Sequence, residues 1–251
     1  MRNRCLLSKG SALAGVSRVA ALAATSLLLA GCGAARAQTI APVLVELTPA
    51  RRVVSITLTN KSSRAMTYQA QAVAWTQGGG VDQQADSDDL LVVPPVADVA
   101  PGASQIFRVT LRRPPPMREA AYRLILEDIT EDTAPPQDGA TVRLQLRHSL
   151  PVFAGPAAKD KGSAHLAPCT QPDVANCVRL YNDGDHRLRV EQLVAQGSGW
   201  RQEIKASATV LAGAWKQWTF TPSAAAAAGP LTVGADTSAG AIAAQWPART
   251  R

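Results

Sequence analysis

The stretch Val54-Ser-Ile-Thr-Leu-Thr-Asn60 carries an apolar side chain at every second residue and runs into the turn Asn60-Lys-Ser-Ser63. A period of two marks a half-buried β-strand, because successive side chains point to opposite faces. The same alternation recurs on both sides. Val43, Val45 and Leu47 precede it, and Tyr68 to Trp75 follows as a strand ended by Gly78-Gly-Gly80. Leu90 to Val93 leads into Pro94-Pro95, and Pro101-Gly102 makes a further turn. Phe107, Val109 and Leu111 then alternate with Ile106, Arg108 and Thr110, and Tyr122, Leu124 and Leu126 form another run. Val142, Leu144, Leu146, His148 and Leu150 are the last strand of this half. Roughly seven strands in about 115 residues, with turns every 8–12, predict an immunoglobulin-like sandwich.

Ala154-Gly-Pro156 to Gly162 reads as a hinge, and the pattern beyond it is again β. Val178 to Tyr181, a turn at Asn182-Asp-Gly184, Leu188 to Val190, Trp215 to Phe220 and Leu231 to Val233 mark a second, smaller sandwich. Ala224 to Ala228 reads as a loop, since five Ala beside Gly229-Pro230 cannot sustain a helix. The expected fold is therefore all-β, with two sandwich domains over 38–155 and 156–251. Composition agrees. The 251 residues are 46% hydrophobic and 18% charged, enough apolar material to exclude a wholly disordered chain. Seventeen Pro and eighteen Gly argue against a helical bundle.

The formal charge of +7 is unevenly placed. Arg2, Arg4, Lys9, Arg18 and Arg36 lie in a first segment without Asp or Glu, and setting these five aside leaves +2 of the +7. Val19 to Ala30 is apolar but short of the ~20 residues that span a bilayer. Ala35-Arg-Ala37 then precedes Gln38. A basic start, an apolar run and Ala-x-Ala form a secretory signal peptide over 1–37, so the mature chain is expected to be exported without membrane insertion. Leu29-Ala-Gly-Cys32 offers an alternative, lipidation of Cys32.

Export permits disulfides, and Cys169 with Cys177 is the pair expected to close a small loop. A metal site is not expected, since His148, His165 and His186 lack ligand spacing. Asp86-Ser-Asp-Asp89 lacks the glycine and distal glutamate of a calcium loop and reads as a solvated turn. No nucleophile elbow, phosphate loop or dinucleotide fingerprint appears, so neither catalysis nor a cofactor is expected. Aromatic residues at 4% give no base-stacking platform, and no nucleic-acid partner is expected.

Several phrases, in order, resemble the periplasmic pilus-assembly chaperones of the chaperone–usher pathway, of the archaic fimbrial type. They are Ile56-Thr-Leu-Thr-Asn60, Tyr68-Gln with Trp75, Pro94-Pro95, Pro101-Gly102, Gln105-Ile-Phe-Arg108, Glu119-Ala-Ala-Tyr-Arg123 and Ser149-Leu-Pro-Val-Phe153. Leu180-Tyr-Asn182-Asp-Gly184 and Leu211-Ala-Gly213 follow in the second half. The resemblance implies two immunoglobulin-like domains in a boomerang. It also implies a chaperone that lends a β-strand to pilus subunits lacking their own and delivers them to an outer-membrane usher. The alternative is an exported two-domain structural or adhesive protein, tethered through Cys32.

The loan makes physical sense, because a donor strand must offer backbone pairing and alternating apolar side chains. Val142, Leu144, Leu146 and Leu150 supply them over ~26 Å at ~3.3 Å per residue. The competing reading is that this face packs into the chain's own core. The resemblance further implies a cationic anchor for the subunit's terminal carboxylate, which falls on Arg51 or Arg52. The family lysine falls near Ser149, where Arg147 is the substitute. It also implies an interdomain polar network of Arg108, Glu119 and Asp236, with Gly155 where many relatives place an arginine.

Overall fold

The computed structural model describes residues 38–114, 117–131, 145–156, 162–169, 176–221 and 229–247. Residues 1–37, Val142, Leu144 and Ala224 to Ala228 lie outside them. The described residues belong to one compact unit beginning at Gln38. They are all-β.

The first half holds β1 (Thr39–Ala41), β2 (Val45–Leu47), β3 (Val53–Thr59), β4 (Met66–Gly78), β5 (Val81–Asp86), β6 (Leu90–Val93), β7 (Val96–Val99), β8 (Ser104–Leu111), β9 (Ala120–Asp128) and β10 (Arg147–Ala154). One sheet has the order β1-β3-β8-β6. The facing sheet has the order β2-β10-β9-β4-β5, with β7 also paired to β4. The alternation is realised as a sandwich. Ile56 and Leu58 from β3, Phe107 and Val109 from β8, Tyr68 from β4 and Leu124 and Leu126 from β9 bury fully between the sheets. Burying a side chain of this size stabilises by about 1.5–3 kcal/mol each before entropy is counted.

Ten strands appear where roughly seven were expected. β5, Val-Asp-Gln-Gln-Ala-Asp, is exposed at every residue and has no apolar face to announce it. It exists because its backbone pairs with β4 across the Gly79-Gly80 turn, both glycines at positive φ. The Asn60 turn is fixed by its side chain. The Asn60 amide donates to the carbonyls of Arg64 and Val99 at 2.7 and 2.9 Å, and its oxygen accepts from the Ser62 amide. Asn182 repeats the device in the second half, donating to His186 and Val210 and accepting from Gly184.

That half comprises β11 (Ala164–Pro168), β12 (Cys177–Asn182), β13 (Leu188–Gly197), β14 (Trp200–Val210), β15 (Trp215–Thr219), β16 (Leu231–Thr237) and β17 (Gly240–Trp246). Sheets β11-β12-β15 and β14-β13-β16-β17 enclose a core of Val178, Leu180, Leu188, Val190, Leu193, Val210 and Val233. The disulfide Cys169–Cys177 joins the end of β11 to the start of β12. Strands β11, β14 and β17 were not anticipated. They are edge strands paired on one side only, with Leu166, Trp200, Ile204, Ile242 and Trp246 packing inward on the second core.

Candidate functional site: a free strand edge and the cleft beside it

β10 is the strand on which the function turns. Its even-numbered residues Leu150, Val152 and Ala154 enter the core of the first sandwich, whereas Arg147 and Ser149 are exposed. On one side the whole strand pairs antiparallel with β9, from Arg147 opposite Glu127 to Ala154 opposite Ala120. On the other side β2 pairs only with Val152 to Ala154. Among the described residues, nothing pairs with the outer edge of Arg147 to Pro151.

The backbone direction of that edge follows from two hydrogen bonds. The Asp128 amide donates to the Leu146 carbonyl, so even-numbered residues face β9. The Gly155 amide donates to the Leu47 carbonyl, so odd-numbered residues face outward. Arg147 and Ser149 therefore present N–H and C=O groups to any strand added at this edge, and Pro151, which has no N–H to lose, also faces out. Proline in a strand belongs at such an edge.

Leu146 is half-buried and Leu150 is buried in the protein's own core. Leu150 is thus a core residue, as the competing reading had it, and the free part of the expected donor strand lies N-terminal to it. His148 shares the inward face between these two leucines, and its Nε2 is buried without a hydrogen-bond partner.

Beside β10, on the outer face of its sheet, the two sandwiches meet. Trp75, Ala121, Phe153 and Leu211 form a buried cluster joined by Ala214. Two guanidinium groups lie on it. Arg187 sits 3.8 Å over the Phe153 ring, and Arg123 sits 3.7 Å over Trp75. Arg187 donates to Glu119 at 2.6 Å and also pairs with Glu46, while its backbone N–H donates to Glu119 at 2.8 Å. Among the described residues Arg123 makes no ion pair, and burial lowers its pKa below the usual arginine value against the opposing pull of the Asp82 charge. On β9 it stands opposite Pro151, next to the free edge.

On the far side of the cleft the Gln77 side chain donates to the Thr209 carbonyl and accepts from the Leu211 amide, at 2.8 and 2.9 Å. Lys216 pairs with Asp82 at 3.0 Å. Burial pushes the Asp82 carboxyl up, but hydrogen bonds from Lys216 and Gln77 outweigh it and hold the pKa below its usual value. A cavity of about 320 Å³ opens between these contacts, lined by Trp75, Gln77, Glu119, Tyr122 and Leu211 among others. The Tyr122 hydroxyl donates to Asp89 at 3.1 Å, and burial with the Asp89 charge pushes its pKa up to about 12.

These positions revise part of the sequence expectation. Glu119 binds Arg187 of the second sandwich, a residue that has no place in the expected set. Arg108 points to solvent from the outer face of β8, and Asp236 is exposed on β16. Neither meets Glu119, because alternation turns both side chains away from the interface. Gly155 is tight instead of vacant: a Cβ there would lie 3.1 Å from Glu119. Arg187 approaches the same glutamate from the second sandwich.

The expected anchor residues are not brought together. Arg51 and Arg52 lie in the exposed turn after β2, whose end at Leu47 adjoins Ala154. Arg147 lies seven residues back along β10, ~23 Å away at ~3.3 Å per residue, and faces Glu127 at 3.9 Å. Arg123 was missed, although a lone arginine inside the apolar run Tyr122 to Leu126 was a readable signal.

Residues 38–159 match the family of the pili and flagellar-assembly chaperone, PapD N-terminal domain. Among solved structures, the chain is similar to one in the CsuC-CsuE chaperone-tip adhesion subunit pre-assembly complex from archaic chaperone-usher Csu pili of Acinetobacter baumannii. That match has 20% identity and a TM-score of 0.63, and covers 83% of this chain and 97% of that one. The Salmonella enterica SafA pilin complex with the SafB chaperone matches at 13% identity and TM-score 0.56, covering 84% and 96%. The E. coli chaperone DraB matches at 16% and 0.54, covering 85% and 98%. No curated protein matches the chain by sequence.

Proposed function

The chain belongs, through residues 38–159, to the family of pili and flagellar-assembly chaperones, and on that premise we propose that it captures pilus subunits in the periplasm by lending them β10 and delivers them to an outer-membrane usher. Chaperones of this family are not enzymes. The observation that carries the reading is the free edge of β10 from Arg147 to Pro151, next to a sandwich that needs the rest of the same strand for its own core.

A subunit strand laid on that edge finds the backbone groups of Arg147 and Ser149, and β2 stops it opposite Val152. Its apolar pockets take Leu146 and, in the segment before it, Val142 and Leu144. The strand's end then lies beside Pro151, where Arg123 is a half-buried cation that makes no ion pair among the described residues and feels the Asp82 charge only at longer range. We assign Arg123 the role of receiving the subunit's terminal carboxylate, a charge-assisted pair that costs about 2–5 kcal/mol to break once desolvated. The Arg187–Glu119–Glu46 clamp holds the second sandwich against this site.

Co-expression with a pilus subunit tests the reading. A stoichiometric complex is expected for the native chain. Leu144→Glu is expected to abolish it and Arg123→Ala to weaken it, with circular dichroism unchanged in both. Full binding by Leu144→Glu would remove the donor-strand assignment. Mass spectrometry of the mature chain addresses export: Gln38 at the N-terminus supports a free periplasmic chaperone, and an acylated Cys32 a tethered one.

A further inference from the structure

The sheet that does not contain β10 has an outer face unlike an ordinary solvated one. Outward from β3, β8 and β6 point Val53, Ile106, Leu91 and Val93, each between 38% and 48% exposed. The register sets them around Thr110 and Arg108, with Leu91 and Val93 neighbours along β6. Val53 and Leu91 flank Thr110, Ser55 and Val93 flank Arg108, and Ile106 lies on the next rung beside Thr57. Apolar side chains gathered at this exposure on one sheet face, beside arginines, make it a candidate interaction surface.

Arginines outnumber carboxylates around it. Arg108 stands in the middle of the face. At the end where β3 begins and β8 finishes, Arg51, Arg52, Arg112 and Arg113 gather, all exposed. The segments are tied together, since the Leu111 amide donates to the Arg52 carbonyl and the Arg52 guanidinium to the Leu111 carbonyl at 3.0 Å. Arg113 approaches Asp89 at 3.5 Å, and Asp86 and Asp88 are the other carboxylates of the adjoining loop. Arg51, Arg52, Arg108 and Arg112 have no ion pair among the described residues.

We infer that this face docks an acidic, apolar segment of a partner protein, independently of the strand edge on the opposite sheet. Arginine suits that occupant because its planar fork binds carboxylates bidentately and tolerates apolar surroundings. A bilayer is the less suitable occupant: the outward positions of β3, β6 and β8 include none of the Trp or Tyr that anchor proteins at a lipid interface.

Fluorescence anisotropy with a short labelled peptide alternating Glu and Leu tests the inference, with a Lys–Leu peptide as control. The Glu–Leu peptide is expected to bind, and the Lys–Leu peptide is not. Arg108→Glu with Arg112→Glu, and separately Leu91→Ser with Ile106→Ser, are expected to weaken binding about tenfold or more, as is raised salt. Leu144→Glu, which disables the proposed donor strand, is expected to leave it unchanged. The inference is overturned by absent binding, by equal binding of both peptides, by loss in Leu144→Glu alone, or by retention on phosphatidylglycerol vesicles in place of the peptide.

Discussion

The two halves of β10 stand in contrasting surroundings. From Val152 to Ala154 the strand has β9 on one side and β2 on the other, its even residues in the core and Phe153 in the cluster that joins the sandwiches. From Arg147 to Pro151 it has β9 alone. Stability and recognition are thus separated along eight residues of one strand. The closed half fixes where the open half sits, and the open half is a sheet edge that a soluble protein would ordinarily blunt. Proline at the junction faces outward, so the ladder to β9 loses nothing.

The largest effect should come from the clamp beside the closed half. Arg187→Met leaves Glu119, only 7% exposed, without its cation, and removing one member of a buried pair typically costs about 3–5 kcal/mol. Denaturant unfolding should show that loss, and a cost below about 1 kcal/mol would mean the clamp carries no weight. A direct contrast follows within the strand. Val152→Ala, at a fully buried position, should cost about 2 kcal/mol. Ser149→Ala, on the open half, should stay within about 0.5 kcal/mol. Equal costs would erase the distinction between the halves.

The smallest effect concerns the far side of the cleft. Because the folded-state pKa of Asp82 is depressed, its contribution is present above the ordinary carboxylate pKa and is lost as pH falls through the folded value. The pair is half exposed, so Lys216→Ala should cost less than about 1 kcal/mol near neutrality. That difference from the native chain should vanish in acid. A difference that persists at low pH would assign Lys216 another partner.

Legibility followed the distribution of apolar side chains. β3, β8 and β9 could be read directly because large residues alternate with polar ones and one face is buried. β5 could not, since its pairing comes from the neighbouring backbone of β4, whereas β14 and β17 do alternate, with Trp200, Ile204, Ile242 and Trp246 inward, and were overlooked. At the site, the outward arginines misled. Arg108 lies between the core residues Phe107 and Val109, so the alternation of β8 already turned it outward, and the resemblance alone placed it in a network. The Glu119–Arg187 pair spans 68 positions, and no local signal joins them. Arg123 could be read, as a charge inside an apolar run, but its meaning depends on the unpaired edge opposite it.

Amide hydrogen exchange along β10 tests the central claim most directly. In the free protein the amides of Arg147 and Ser149 should exchange fast and that of Phe153 slowly. On addition of a pilus subunit, Arg147 and Ser149 should become protected while Phe153 stays as it was. Protection of Arg147 and Ser149 already in the free protein, or no change on complex formation, would contradict the account.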